Sequence, residues 1–106
     1  MATTKFYTTG NGDFFQVIKE TKTTVTVRPV KSESLGTTTI YTAFDYDVKC
    51  RAIADEFTTS WWFDDKQNAN GRRCKKDPNG YIIINPYHRI HAYPSDGIEE
   101  YNRNLG

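Results

Sequence analysis

Leucine is almost missing from this chain: Leu35 and Leu105 are the only two in 106 residues. Leucine is a strong helix former and a mainstay of helical cores, so its scarcity argues against a helix bundle. Long apolar runs are missing as well. The longest, Tyr81-Ile82-Ile83-Ile84, falls far short of the roughly 20 residues that span a bilayer and of the apolar stretch of a secretory signal. The expectation is a cytoplasmic protein that makes no use of a membrane. There are two cysteines, Cys50 and Cys74, too few for a disulfide scaffold, and they are expected to be reduced, small, partly buried side chains. A net charge of +1 and a pI near 7.7 lack the basic footprint usual for a nucleic-acid-binding domain. No internal repeat, heptad or low-complexity tract is present, and the length suits one domain, residues 1–106.

What the chain does have is threonine, valine, isoleucine and aromatics, the population that suits a pleated, half-buried surface. Aromatic residues make up 14% of it, so much of the core volume must come from rings. Period-two alternation then places the strands. Residues 5–8 form a short first strand, closed by Gly10-Asn11-Gly12-Asp13, where glycine and asparagine accept positive φ. Residues 14–20 and 24–30 form a hairpin around Thr21-Lys22-Thr23, with Val25 and Val27 on one face and Thr24, Thr26 and Arg28 on the other. Pro29 cannot donate to a ladder, so this strand is expected to be an edge or to end there.

Residues 31–36 read as a polar loop. Beyond them Ile40, Thr42, Phe44, Tyr46, Val48, Cys50, Ala52 and Ala54 alternate with Tyr41, Ala43, Asp45, Asp47, Lys49 and Arg51. An alternation this long implies a strand that is bent or split. A second hairpin is expected from residues 72–76 and 81–84 around Asp77-Pro78-Asn79-Gly80, followed by a strand near 87–93, a turn at Pro94-Ser95-Asp96-Gly97 and a polar tail. The fold class is mostly β: a small antiparallel, partly open barrel or strongly curled sheet of five to seven strands.

Charge is unevenly spread. Residues 45–65 carry six acids against two bases, a net of −4, and residues 66–91 carry six bases against Asp77, a net of +5. Two neighbouring strands of opposite charge are the simplest explanation. The chemistry of catalysis finds no foothold. No nucleophile has a base at a recognised spacing, Asp45 and Asp47 read as a solvated pair, and no glycine-rich loop joins a strand to a helix. Cys50, Cys74, His88 and His91 lack the tight pairwise spacing of a zinc site. No enzyme activity, cofactor or metal is therefore expected.

Two surfaces stand out. The first is Trp61-Trp62-Phe63-Asp64-Asp65, three large rings in a turn-like stretch. In an extended chain Trp61 and Phe63 share a face, either capping one end of the sheet or anchoring a partner, and Trp62 takes the other face and is the ring expected in solvent. Aromatic anchors with a charged rim dominate protein interfaces, and Asp55, Glu56, Asp64 and Asp65 would suit a basic groove made for phosphates. The second surface is Arg72, Arg73, Lys75 and Lys76 with Arg89, His88 and the rings of Tyr81, Tyr87 and Tyr93, a basic stacking surface for nucleic acid. An uncovered edge at residues 24–30 would also permit a homodimer.

Two blocks carry a resemblance. Asp13-Phe14-Phe15-Gln16-Val17 with Lys22-Thr23-Thr24-Val25-Thr26-Val27-Arg28-Pro29, and Gly80-Tyr81-Ile82-Ile83-Ile84-Asn85 with Ala92-Tyr93-Pro94-Ser95-Asp96-Gly97, resemble small uncharacterised proteins of bacteriophages and other mobile elements of Gram-positive bacteria. The chain differs from them in having Thr9-Gly10-Asn11-Gly12 where Trp-Gly is usual, and in residues 57–71. The resemblance implies a mobile-element protein in a host bacterial cytoplasm, evading host defence by an anti-CRISPR-like inhibition of a nuclease such as a Cas effector.

Overall fold

A computed structural model describes residues 4–104. Eight strands, β1 (Phe6–Thr8), β2 (Phe14–Glu20), β3 (Thr24–Thr42), β4 (Asp45–Phe57), β5 (Arg72–Lys75), β6 (Ile82–Asn85), β7 (Ile90–Ser95) and β8 (Ile98–Asn104), accompany one short helix, α1 (Asp65–Asn70). They form a single antiparallel sheet in the order β6-β7-β1-β2-β3-β4-β8, with β5 added to β3. The mostly β reading holds, with eight strands rather than five to seven, and the sheet does not close into a barrel. Among the described residues no helix is long and apolar enough to cross a membrane.

The extra strand is the polar tail. Only Asp96 and Gly97 separate β7, which pairs with β1, from β8, which pairs with β4. Gly97 makes the sharp bend between them. Its φ is +96°, its carbonyl accepts from the Ala52 N–H at 2.7 Å, and a Cβ there would lie 2.9 Å from the Phe6 ring, so only glycine fits. One run of chain thus reaches both halves of the sheet and curls it.

Neighbouring aromatics at the centre are buried on both faces, because successive side chains in a strand point opposite ways. Tyr7 and Phe15 join Val25, Val27, Phe63, Cys74, Ile82, Ile84 and Ala92 in one cluster. Phe6 and Phe14 join Val30, Cys50 and Ala52 in the other. The first is completed by β5, β6, β7 and Phe63, the second by β4, so the two halves of the sheet fold over opposite faces of its middle strands. Cys50 and Cys74 are free, and they are buried where partial burial was expected. Burial pushes both thiols up, away from the reactive thiolate.

Three local expectations are corrected. β3 does not end at Pro29 but runs on to Thr42, so residues 31–36 are strand and not loop. A strand residue presents its N–H and C=O to the same edge, and the Pro29 carbonyl accepts from the Thr58 N–H at 2.9 Å. The missing donor therefore falls where β3 changes partner, between Val27 opposite Arg72 of β5 and Val30 opposite Phe57 of β4. Residues 24–30 are accordingly not an open edge, since β2 and β5 flank them. The long alternation from Ile40 is split at a turn, as expected, and only its later part, with Val48, Cys50 and Ala52 buried, faces the core. Finally, β5 pairs with β3 and β6 with β7, so residues 72–84 make no hairpin ladder.

Beyond the body, residues 31–42 of β3 and the start of β4 project as an arm whose tip exposes Ile40, Tyr41 and Phe44. Register jumps insert Leu35, Thr38 and Tyr41 as extra residues in β3. Bulges at this spacing coil the strand and blunt its free edge against pairing.

A bulge of another kind ties β4 to β2. Between the Val30–Phe57 and Ser32–Ala52 pairs, β4 carries surplus residues, and Asp55 there has φ +66°. Buried Gln16 clamps it: Gln16 Oε1 accepts from the Asp55 N–H at 2.7 Å, and Nε2 donates to Asp55 Oδ1 at 2.9 Å. Gln16→Ala strips both bonds from a strained backbone. It is expected to cost about 1–3 kcal/mol in urea unfolding, the penalty for an orphaned polar group.

Candidate functional site

Residues 58–71 leave the sheet between β4 and β5, and their own polar side chains fold them. The Phe63 N–H donates to the Ser60 carbonyl at 3.2 Å, closing a β-turn with Trp61 and Trp62 at its centre, and the Trp62 N–H donates to Ser60 Oγ at 3.2 Å. Asp64 then caps α1. Its carboxylate accepts from the Gln67 N–H at 2.8 Å while Gln67 Oε1 accepts from the Asp64 N–H at 3.1 Å, a reciprocal capping box. Asn68 holds the middle: its Oδ1 accepts from the Ser60 N–H at 2.8 Å and its Nδ2 donates to the Phe63 carbonyl at 3.3 Å. Arg28, stacked 4.0 Å over the Phe57 ring, donates through Nε to the Asn68 carbonyl at 3.2 Å.

The turn overturns the expected distribution of rings, because period-two alternation applies only to extended chain. Phe63 is buried, with its ring centre 5.4 Å from that of Phe15. Trp62, expected in solvent, is half-buried against the core and lies 5.5 Å from the His88 ring. Trp61 is the exposed ring, at 92%. The acids are redistributed too. Asp64 is a helix cap and Asp55 belongs to the Gln16 clamp, which leaves Glu56 and Asp65 exposed and without side-chain partners among the described residues.

Asn85 is the residue that sequence reasoning missed. Its Nδ2 donates to the Trp62 carbonyl at 3.2 Å, and its Oδ1 accepts from the N–H groups of Tyr87 and His88 at 2.9 and 3.1 Å. One side chain thereby locks the turn between β6 and β7 to the turn carrying the tryptophans. The signal was Asn85-Pro86, which initiates turns. Tyr87 is also 92% exposed. The two adjoining turns therefore hold Trp61, Trp62, Tyr87 and His88 together at one end of the sheet, beside Arg89, whose φ is +52°.

The basic stretch does not form one surface. Arg73 and Lys75 point outward from β5 opposite Thr26 and Thr24, while Arg72 turns inward with Cys74 and its Nε is buried without a partner among the described residues. Lys76 is spent on Glu20 at 2.8 Å and on the Thr21 carbonyl at 3.0 Å. Arg89 stands on a different turn. The acidic strand does not face β5 either. Its charges meet β3 and β8, with Arg51 bridged to Glu33 and Lys49 registered against Glu100. Tyr81, just before β6, and Tyr93 of β7 form a ring pair at 6.2 Å.

Beside Trp61 lies a cleft of about 410 Å³ between Gly12 and Asp13, residues 29–32 and residues 58–62. Asp13 lines it without a side-chain hydrogen bond or counter-ion among the described residues, and loss of water around its carboxyl pushes it above the usual carboxylate range. An acid whose folded value is raised opposes folding once ionised, and that opposition fades as pH falls through the raised value. Asp13→Asn is thus expected to melt at an equal or higher temperature than the wild type at pH near 7. The difference should close at about pH 3, where both unfolded and folded carboxyls are protonated. A wild type more stable than the variant at neutral pH would contradict this.

In comparisons with known proteins, no family model, curated sequence or solved structure matches the chain.

Proposed function

We propose that the protein acts by binding another protein through the end formed by the turn at residues 60–63 and the turn at 85–89. The observation that carries this reading is that Trp61 and Tyr87, each 92% exposed, stand on two turns fixed to one another and to the core. Large rings in water contribute little to the stability of the monomer, while carrying them on turns whose backbone is already fixed reduces the entropy lost on docking. Glu56, Asp64 and Asp65 supply acidic charge nearby in sequence, which favours a partner with a basic groove. Together with the resemblance to mobile-element proteins, this supports an inhibitor that occupies the nucleic-acid channel of a host defence nuclease, in the manner of an anti-CRISPR protein bound to a Cas effector.

Nucleic acid itself fits less well. Of the basic stretch, only Arg73 and Lys75 project freely from β5. The test is capture from a bacterial lysate with the tagged protein, treated with nuclease and washed at low and high salt. A discrete protein partner that survives both is expected. Loss of every partner on nuclease treatment would instead support direct binding of nucleic acid through Arg73, Lys75 and Arg89, because phosphate contacts are strongly salt-dependent.

A further inference from the structure

The cleft beside Trp61 has a chemistry of its own. Four polar side chains line it with unspent hydrogen-bonding capacity: the Asp13 carboxylate, the Lys31 ammonium and the hydroxyls of Thr58 and Thr59 make no side-chain bond among the described residues. Ser60 Oγ, which accepts from the Trp62 N–H, still has its own proton to donate. One carboxylate and one ammonium leave the lining neutral, so an anion would meet Asp13 and a cation would meet Lys31. Trp61 adds a rigid aromatic face, 92% exposed, at the mouth. A volume of about 410 Å³ falls within the range of small-molecule sites.

We propose that this cleft binds a neutral saccharide. A sugar ring presents what the lining lacks: an apolar C–H face to lie on the Trp61 indole, and a rim of hydroxyls that donate to Asp13 and accept from Lys31, with Thr58, Thr59 and Ser60 able to do either. The hydroxyl-rich lining gives a purely apolar ligand no partner for its donors and acceptors, which would be left desolvated and unpaired. The Asp13 carboxyl is pushed up by partial loss of water, and a hydroxyl donor would supply a hydrogen bond in its place. The inference goes beyond the protein-docking reading and does not rest on it.

The test is a titration of the full chain with the methyl glycosides of glucose, galactose, mannose and N-acetylglucosamine, followed by the Trp61 indole N–H and the Thr59 and Ser60 amides in NMR spectra. A saturable shift at these positions is expected with at least one glycoside at millimolar concentration. Trp61→Ala and Asp13→Asn should each weaken it tenfold or more, and Ile40→Ala on the distant arm tip should leave it unchanged. Because Trp61 is so exposed, its alanine variant keeps the fold. The proposal is overturned if none of the four glycosides gives a saturable shift, if the shift survives Trp61→Ala, or if inorganic phosphate produces the same shift.

Discussion

Phe15→Ala is expected to destabilise the protein by about 3–5 kcal/mol, the cost of emptying a closely packed aromatic site. Phe15 is 1% exposed and packs between Tyr7, Val25 and Val27 of its own sheet and the ring of Phe63. Nothing at the centre of β2 can collapse to fill the space, since β1 and β3 hold it from both sides. Total stability of a domain this size is about 5–15 kcal/mol, so the variant should unfold at a much lower urea concentration. Function should suffer with it, because Phe63 is the only buried ring of the tryptophan segment and Phe15 is the ring it rests on. The comparison is Ile40→Ala, whose side chain is 72% exposed and should change stability by no more than about 0.5 kcal/mol. Equal stability of the two variants would mean that the cluster is not the core described.

The second large effect concerns binding. Truncating both Trp61 and Tyr87 to alanine should weaken association with a captured partner by about a thousandfold or more, on the basis that interface anchors are each worth about 2 kcal/mol or more. The same double variant should melt within a few degrees of the wild type, because neither ring is buried. Trp62→Ala would be a poor probe of the same idea. Trp62 packs on the core and against His88, so its loss mixes folding with docking. Changing Asp64 has the same defect, since it removes a helix cap worth about 1 kcal/mol.

The central hairpin was legible because turn chemistry and alternation agreed: Gly10-Asn11-Gly12-Asp13 and Thr21-Lys22-Thr23 bracket β2, and Val25 and Val27 fall on the buried face. β8 was not legible because its partner lies along the charged strand, so its polar side chains carry no apolar period. Pro29 misled for a geometric reason. Which edge its missing donor faces depends on the arrival of β4 and β5, and these come from later in the chain. The aromatic cluster was visible as composition but not as conformation. Its rings sort by a β-turn set by Ser60 and Asn68, and alternation cannot see a side chain reaching eight residues back. The capping box of Asp64 and Gln67 was readable at its usual spacing and would have shown that Asp64 is structural. Asn85-Pro86 marks a turn, but the bond by which Asn85 joins the two turns acts across 23 residues and leaves no pattern of its own.

Two exposed apolar regions compete as the docking surface: the end bearing Trp61 and Tyr87, and the arm tip bearing Ile40, Tyr41 and Phe44. Hydroxyl-radical footprinting of the protein, free and in complex with its captured partner, separates them directly. Trp61 and Tyr87 should react readily in the free protein and be protected in the complex, while Tyr41 and Phe44 stay reactive in both. Protection of Tyr41 and Phe44 with Trp61 and Tyr87 still open would place the docking surface on the arm and contradict the account given for the tryptophan end.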